Sequence, residues 1–361
     1  MRRLLMTVDA TGGVWRYAMD LARGLQAEGI ETVFLGLGPE PAAHERRKAQ
    51  ALGILDWAPA PLDWMVSDES DLSHLPALIA ERAARHGAGA IQVNVPSQAA
   101  GMPEGLPVVA FHHSCVATWF RAVRGHALPD AWSWQARLTR RGLERADAVA
   151  APSRSHAEAV AACYPGAGRI AVVPNAVKVT ETAGGDAPYV AASGRWWDDG
   201  KNGATLDAAA GRMIWPVVMT GPTRSPTSQS FTPARAVAAG PLPHDAALAL
   251  TREAGIFVAP SLYEPFGLAV AEAARVSRPL VLADIPTFRE LWDGAALFFP
   301  ANDPDALCDA ANRLIEDPVV RRRLGHAAQM RARRFTTAAQ ARAMRRLLDG
   351  LASSQPIAGI P

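Results

Sequence analysis

The chain predicts an α/β protein built from two doubly wound parallel-sheet domains facing across a cleft. Three observations carry this. At 361 residues it is long enough for two domains with separate cores. Short apolar runs alternate with helical stretches along nearly its whole length. That series also restarts after a loose, glycine-containing stretch, Thr180 to Pro188, which holds Gly184-Gly185.

The elements follow in order. Leu4 to Val8 reads as a strand, Asp9 to Gly13 as a glycine loop and Val14 to Ala27 as a helix ending near Gly29. Ile30 to Leu35 completes an opening βαβ unit. The span 36–71 is rich in Pro, Trp and acids and reads as an excursion over the surface. Later strands fall at Ala90–Val93, Val108–Phe111, Ala148–Ala151 and Ile170–Val173. The second series places strands at Tyr189–Ala192, Val217–Met219, Ile256–Ala259, Leu280–Ala283 and Ala296–Phe299. Arginine-rich helices fill 305–351, and the tail from Ser353 to Pro361 reads as frayed. The domains are therefore 1–178, 179–335 and a C-terminal helix and tail, 336–361, that packs back toward the first.

Composition narrows the function. The net charge is +2, from 37 Lys and Arg against 35 Asp and Glu, so nothing in the bulk electrostatics calls for nucleic acid. Cys115, Cys163 and Cys308 lie far apart with no metal or redox spacing, which points to a reducing, cytoplasmic setting. The start, Met1 to Met6, loses its apolar character by Asp9 and reads as a strand rather than a leader. No run is long enough to cross a bilayer, so membrane contact would be peripheral, at the inner surface.

The most informative segment runs from Ser261 to Glu272. A strand (Gly255 to Ala259) gives way to a loop (Pro260 to Pro265) and then an alanine-rich helix, Leu268 to Val276. The free amides and positive dipole end of a helix start form an anion site, and Gly267 lets a phosphate approach the backbone. Glu264 lies before this helix and Glu272 is expected about two turns inside it, so the acids reach different parts of one elongated ligand.

A second anion element, Gly194 to Asn202, directly follows the first strand of the second series. It resembles a Walker A loop but has five residues between its glycines and Asn202 where a magnesium-binding hydroxyl would stand. Arg195 by a forked contact and Lys201 as a point charge could grip a diphosphate without a metal, against the plainer reading of a solvated loop. Gly12-Gly13 offers a third cradle after the first strand. Trp15 and Tyr17 beside it could stack on a sugar, though core is the plainer reading for at least one.

His112-His113-Ser114 ends the strand Val108 to Phe111 at the ligand edge of the sheet. Asp303-Pro304-Asp305 spells a metal-holding triad but caps a helix more simply. The runs Arg321 to Arg323 and Arg331 to Arg334 could meet anionic lipid, against a solvated helix face. No nucleophile elbow, zinc signature or dinucleotide fingerprint occurs.

Taken together these residues resemble the family 4 glycosyltransferases, a retaining group with the two-domain, Rossmann-like GT-B fold. The resemblance covers nearly the whole chain. It rests on Ser261-x-Tyr263-Glu264-Pro265-Phe266-Gly267-Leu268 with Glu272, on Gly12-Gly13, on His113-Ser114, and on Ala146-Asp147 with Pro152-Ser153. Val173 to Val177, Gly194-Arg195 with Lys201-Asn202, and Ile285 to Glu290 extend it. Two departures stand out: Ala176 where glycine is usual, and Lys201 one position farther from Arg195 than the commonest spacing.

The resemblance implies a nucleotide-sugar donor as co-substrate, a saccharide or glycolipid acceptor, and no metal or other cofactor. Arg195 and Lys201 would hold the donor diphosphate, Glu272 the ribose hydroxyls and Glu264 hydroxyls of the donor sugar. Backbone groups of Phe266, Gly267 and Leu268 would meet phosphate or sugar, Gly12 and Gly13 the phosphate, and Leu242 the base edge. His113, six residues after Pro107, would sit by the sugar ring. Trp15, Trp57, Trp64 and Trp119 are expected among the acceptor-selecting surface. The rivals are a nucleotide-sugar epimerase and a non-catalytic sugar-nucleotide binder on the same fold.

Overall fold

The computed structural model describes residues 2–10, 12–126, 128–181, 184–226 and 228–354. Residues 355–361 of the expected frayed tail lie outside them. The chain divides into two compact units. One comprises Met1–Arg121, Gly125–Ala176 and the chain from Thr336, and the other Ala122–Arg124 with Val177–Phe335.

In the first unit, β1 (Arg3–Val8), α1 (Gly13–Ala27), β2 (Glu31–Gly36), α2 (Ala43–Gln50) and β3 (Gly53–Trp57) build one half of a sheet. The other half comes from α3 (Leu75–Arg85), β4 (Ala90–Val93), β5 (Val108–Phe111), α4 (Val116–Val123), α5 (Ser133–Arg145), β6 (Ala148–Ala151), α6 (Arg154–Cys163) and β7 (Ile170–Val172). The seven strands run parallel in the order β3-β2-β1-β4-β5-β6-β7. The order therefore reverses between β1 and β4.

Alternation within each strand splits the core between the two faces of the sheet, as a doubly covered parallel sheet requires. Leu5, Val33, Ile91 and Val108 pack with Ile79 of α3 and Leu143 of α5. Leu4, Met6, Phe34 and Val109 pack with Leu21 and Leu25 of α1. Each fully buried side chain of this size contributes roughly 1.5–3 kcal/mol.

The second unit opens with β8 (Ala187–Ser193), α7 (Gly203–Ala210), β9 (Val217–Thr220), β10 (Val237–Gly240), α8 (His244–Glu253) and β11 (Ala254–Ala259). It continues through α9 (Leu268–Arg275), β12 (Leu280–Ala283), α10 (Pro286–Trp292), β13 (Ala296–Phe299), α11 (Pro304–Glu316) and α12 (Pro318–Ala332). Its six parallel strands follow the order β10-β9-β8-β11-β12-β13, reversing between β8 and β11.

The last helix, α13 (Thr337–Ser354), belongs to the first unit and lies directly on α1. Gly24 makes this close approach feasible: a Cβ there would stand 2.4 Å from the Thr337 carbonyl oxygen and 2.7 Å from the Ala341 Cβ. Ala341, Met344 and Leu348 then join the core of that face.

Three expectations need correction. The span 36–71 is not a mere excursion, because β3 pairs in register with β2 from Thr32↔Gly53 to Gly36↔Trp57 and forms a sheet edge. The strand β10 also went unread, since its sequence, Val-Ala-Ala-Gly, carries little apolar signal. Arg321 is not part of a solvated face but is 6% exposed. Its guanidinium pairs with Asp186 at 2.7 Å and donates to the Leu314 and Ile315 carbonyls at the end of α11, while Arg322 and Arg323 are exposed.

Candidate active site

Ligands of open α/β sheets bind beyond the carboxyl ends of the strands where strand order reverses. In the second unit that point lies between β8 and β11, and the two loops leaving it are the ones singled out from the sequence. After β8, Trp196 is buried and its indole donates to the Thr220 carbonyl at 2.8 Å, anchoring the loop. Asp198 then accepts from the Gly200 amide at 2.9 Å and shapes a tight turn, Asp199–Lys201.

The second loop is bound to the first. The amides of Leu262 and Tyr263 both donate to the Gly200 carbonyl, at 2.9 and 3.3 Å. Across this junction the Lys201 ammonium forms an ion pair with the Glu264 carboxylate, their side chains 17% and 18% exposed. Asn202 sits in the left-handed region with φ 54. Its amide donates to the carbonyls of Pro260, at 3.1 Å, and Ala301, at 2.7 Å. The residue in the place of a magnesium-binding hydroxyl is thus committed to holding the β11 loop.

Arg195 keeps about half of its side chain exposed; it faces Asp198 at 3.5 Å and lies 5.7 Å from the Trp197 ring centroid. Gly267, with φ 87, starts α9 with no side-chain cap, so the first amides of that helix remain available to a ligand. The ring of Phe266 is buried edge-on against Phe335, which leaves its backbone as the group that can meet substrate. Leu268 is half-buried at the head of the helix.

Because α9 begins at Leu268, Glu272 lies about one turn inside it, not two. Its carboxylate accepts from Nε2 of His244 at 3.1 Å, and Leu242 stands 37% exposed in the loop that leads to His244. His244 opens α8 behind Pro243 and gave no signal in the sequence.

In the first unit the order reverses between β1 and β4. Gly12 takes φ 82 and ψ −147, a conformation that only glycine adopts freely, and Gly13 opens α1 with no side-chain cap. Tyr17 and Trp15 are both core. Tyr17 is 1% exposed and accepts from Gln92 at 3.0 Å, while the Trp15 indole donates to Glu45 at 2.9 Å. Trp15 is therefore removed from the acceptor-facing surface. Trp57 is half-buried and donates to the Gly38 carbonyl at 2.9 Å, whereas Trp64 is 43% exposed.

His113 leaves β5 stacked on Phe111, with ring centroids 4.5 Å apart, and Tyr17 meets it edge-on. Its Nε2 lies 3.1 Å from Oδ1 of Asn94. An amide oxygen can only accept, so Nε2 carries the proton. Burial, with neighbouring His112 adding to it, pushes the imidazole pKa down to about 3, leaving a neutral ring at physiological pH. His112 itself is fully buried, with Nδ1 2.9 Å from Nε2 of His156, and belongs to the core.

A neutral hydrogen-bonded chain extends from His113. Asn94 donates from its backbone amide to the Thr7 hydroxyl at 3.0 Å, and that hydroxyl donates to Gln98 at 2.6 Å. Asn94 was also missed in the sequence, although an Asn immediately following a fully buried strand is a usable signal. Asp303 accepts from the amides of Asp305 and Ala306 and caps α11, the simpler of its two readings. Among the described residues no three His, Cys, Asp or Glu side chains gather as a metal site, and no helix is long and apolar enough to cross a membrane.

Comparison with known proteins bears on the fold and the family. The sucrose-phosphate synthase of Thermosynechococcus elongatus superposes with a TM-score of 0.80 at 18% identity, covering 98% of this chain and 100% of that one. The HepE structure of Anabaena in complex with UDP-glucose gives 0.72 at 16% identity, covering 96% and 99%. At these identities the likeness concerns the fold, which is GT-B. The O-antigen biosynthesis glycosyltransferase WclY of Escherichia coli is 39% identical over 54 residues, so the match spans 15% of this chain and 15% of that curated relative. Family models described as Glycosyltransferase Family 4 and Glycosyl transferases group 1 match residues 11–181 and 233–331, one in each sheet-bearing region. The chain accordingly belongs to the family 4, group 1 glycosyltransferases.

Proposed function

We propose that this chain is a retaining glycosyltransferase that moves a sugar from a UDP- or GDP-sugar to a hydroxyl of a saccharide or glycolipid, with no metal ion. The observation that carries this reading is the gathering of Arg195, Lys201 and Glu264 on two tied loops at the switch point between β8 and β11. HepE of Anabaena, of the same fold, was solved with UDP-glucose, which supports a nucleotide-sugar donor here.

During transfer the bond from the anomeric carbon to the diphosphate breaks, its electron pair remaining on the phosphate oxygen. The acceptor oxygen bonds the same carbon from the face the leaving group vacates, and its proton passes to the departing phosphate. Positive charge grows on the ring and negative charge on the diphosphate. The Arg195 fork and the Lys201 ammonium stabilise that developing charge more than the ground state, which is what lowers a barrier.

Glu264, beside Lys201, holds donor sugar hydroxyls, and its ion pair fixes its direction before substrate arrives. Glu272, oriented by His244, takes the ribose hydroxyls, while Leu242 borders the base. Amides at Gly267 and Leu268 meet phosphate. His113, being neutral, suits a sugar hydroxyl rather than a phosphate charge. Synthesis of a saccharide polymer or glycolipid in the cytoplasm is the setting this reading implies.

Assay with UDP- and GDP-sugars in the presence of a chelator tests the reading directly. Transfer should persist without added metal, and product analysis should find the sugar joined to an acceptor. An altered free sugar would instead identify an epimerase. Arg195 is half-exposed, so Arg195→Ala should fold normally and lose about 2–4 kcal/mol of transition-state stabilisation. Intact transfer in that variant would remove the diphosphate assignment.

A further inference from the structure

The first unit contains a cavity of about 280 Å³, close to the lower end of ligand pockets at roughly 300 Å³. Its lining includes Leu62, Asp63, Ser73, Ser97, Gln98 and Arg141. These residues come from the turns that follow β3 and β4 and from α5. Gly142 lets α5 lie on the second turn, since a Cβ there would stand 1.8 Å from the Pro96 carbonyl oxygen. The cavity thus lies past the carboxyl ends of β3 and β4, the side on which a parallel α/β sheet takes its ligand.

Its chemistry is selective. Asp63 presents a carboxyl that accepts from the Ser97 hydroxyl at 3.4 Å, and burial raises its pKa above the ordinary value. Glu69, paired with Arg137 at 3.7 Å, and Arg141 also line the cavity. The buried Asp63 carboxyl disfavours an anion beside it. An acyl chain would add no hydrogen bond to Asp63, Ser97 or Gln98, which already bond one another or Thr7 but keep further donor and acceptor capacity, so covering them with hydrocarbon is costly. A neutral ring bearing hydroxyls satisfies both the acceptors and the donors, and its C–H faces suit Leu62 and Leu138.

The cavity is also wired to the sheet edge. Gln98, which lines it, accepts from the Thr7 hydroxyl at 2.6 Å; Thr7 accepts from the Asn94 amide, and Asn94 contacts His113. A ligand that moves Gln98 would move the residues that orient His113.

We infer that this cavity is a subsite for an uncharged hydroxylated ring, a pyranoside or a cyclitol, of the acceptor, with Asp63 and Ser97 as its hydrogen-bonding pair. The inference rests on the glycosyltransferase reading for the word acceptor, but not for the binding itself.

Saturation-transfer NMR on the whole protein tests it, using methyl α-glucoside, methyl α-mannoside, methyl α-galactoside and myo-inositol at millimolar concentration. At least one ring should receive saturation from the wild-type protein. That signal should fall about tenfold in Asp63→Asn and in Ser73→Trp, whose exposed position plugs the mouth without disturbing the core. Excess UDP should leave the wild-type signal in place.

No saturated ring, equal signals in Ser73→Trp, or displacement by UDP would each overturn the inference. A parallel thermal-shift screen of the wild type against UDP- and GDP-sugars reads the functional proposal separately. Ring binding without nucleotide-sugar binding would sink that proposal and leave the subsite standing.

Discussion

The two switch points of this molecule share one topology and differ in electrostatics. Beyond β8 and β11 the side chains are charged and paired, Lys201 with Glu264 and Arg195 with Asp198, and the Glu272 carboxylate accepts from His244. Beyond β1 and β4, although Asp9 directly follows β1, a neutral hydrogen-bonded chain joins Gln98, Thr7 and Asn94 to a His113 that stays uncharged. The charged pairs are prepared for a ligand with charge to neutralise, the neutral chain for one that offers hydroxyls. The difference lies in side chains alone, because both edges are parallel strands turning into helices. Fold therefore supplies position, and the residues at the loop ends supply the chemistry.

The largest test removes the charge at the centre of the second edge. Lys201→Ala should cut kcat by about 10²–10³, or 3–4 kcal/mol, if the ammonium meets charge that develops in the transition state. It also leaves the Glu264 carboxylate unpaired at 18% exposure, so the thermal midpoint should fall. The double variant Lys201→Ala with Glu264→Ala separates the two effects by restoring stability but not turnover. Should turnover stay within twofold while the midpoint drops, the pair is merely structural and the contrast between the edges fails.

Asn202→Ala should come next, at about 2–4 kcal/mol of stability. Two carbonyls, of Pro260 and Ala301, lose their donors, and alanine is strained at φ 54. Asn202→Gly relieves the strain but not the lost bonds, and should recover roughly 1 kcal/mol by chemical denaturation. Full recovery in the glycine variant would mean that backbone geometry, not the amide, holds the β11 loop. A smaller effect is expected at Glu272→Gln: donor binding weaker by about tenfold, near 1.4 kcal/mol, with kcat little changed. Isothermal titration with UDP would show it, and an unchanged Kd would remove Glu272 from the ribose.

How much of this could be read in the chain follows from the same physics. Strands β4, β5, β6, β12 and β13 were legible to the residue because each is a short, largely buried apolar run. The edge strands β3 and β10 were not, since Gly-Ile-Leu-Asp-Trp is only half-buried and Val237 stands exposed, so no burial pattern marks them. Helix α2, Ala-His-Glu-Arg-Arg-Lys-Ala-Gln, has no apolar stripe to read. At the site, Glu264, Gly267, Arg195 and Lys201 were visible because a strand, a glycine and a helix start announce an anion cradle locally. Their partners were not. His244 and Asn94 act on neighbours that folding selects, 28 positions away for His244 and Glu272 and 19 for Asn94 and His113.

The last test acts on the neutral edge and should be silent at pH 7. The folded-state pKa of His113 is depressed to about 3 from an ordinary 6.5. A depressed histidine contributes its stability above the unfolded pKa and loses it as pH falls from 6.5 toward 3, because the unfolded chain then binds the proton more readily. The wild-type thermal midpoint should therefore be flat above pH 7 and decline below about 6.5. In His113→Gln, whose amide can still donate to Asn94, that decline should be shallower between pH 6.5 and 4.5. His156, whose pKa burial also lowers, keeps part of the slope in either protein. Superimposable curves for the two proteins would mean that His113 protonates freely in the fold, and the uncharged character of the first edge would have to be given up.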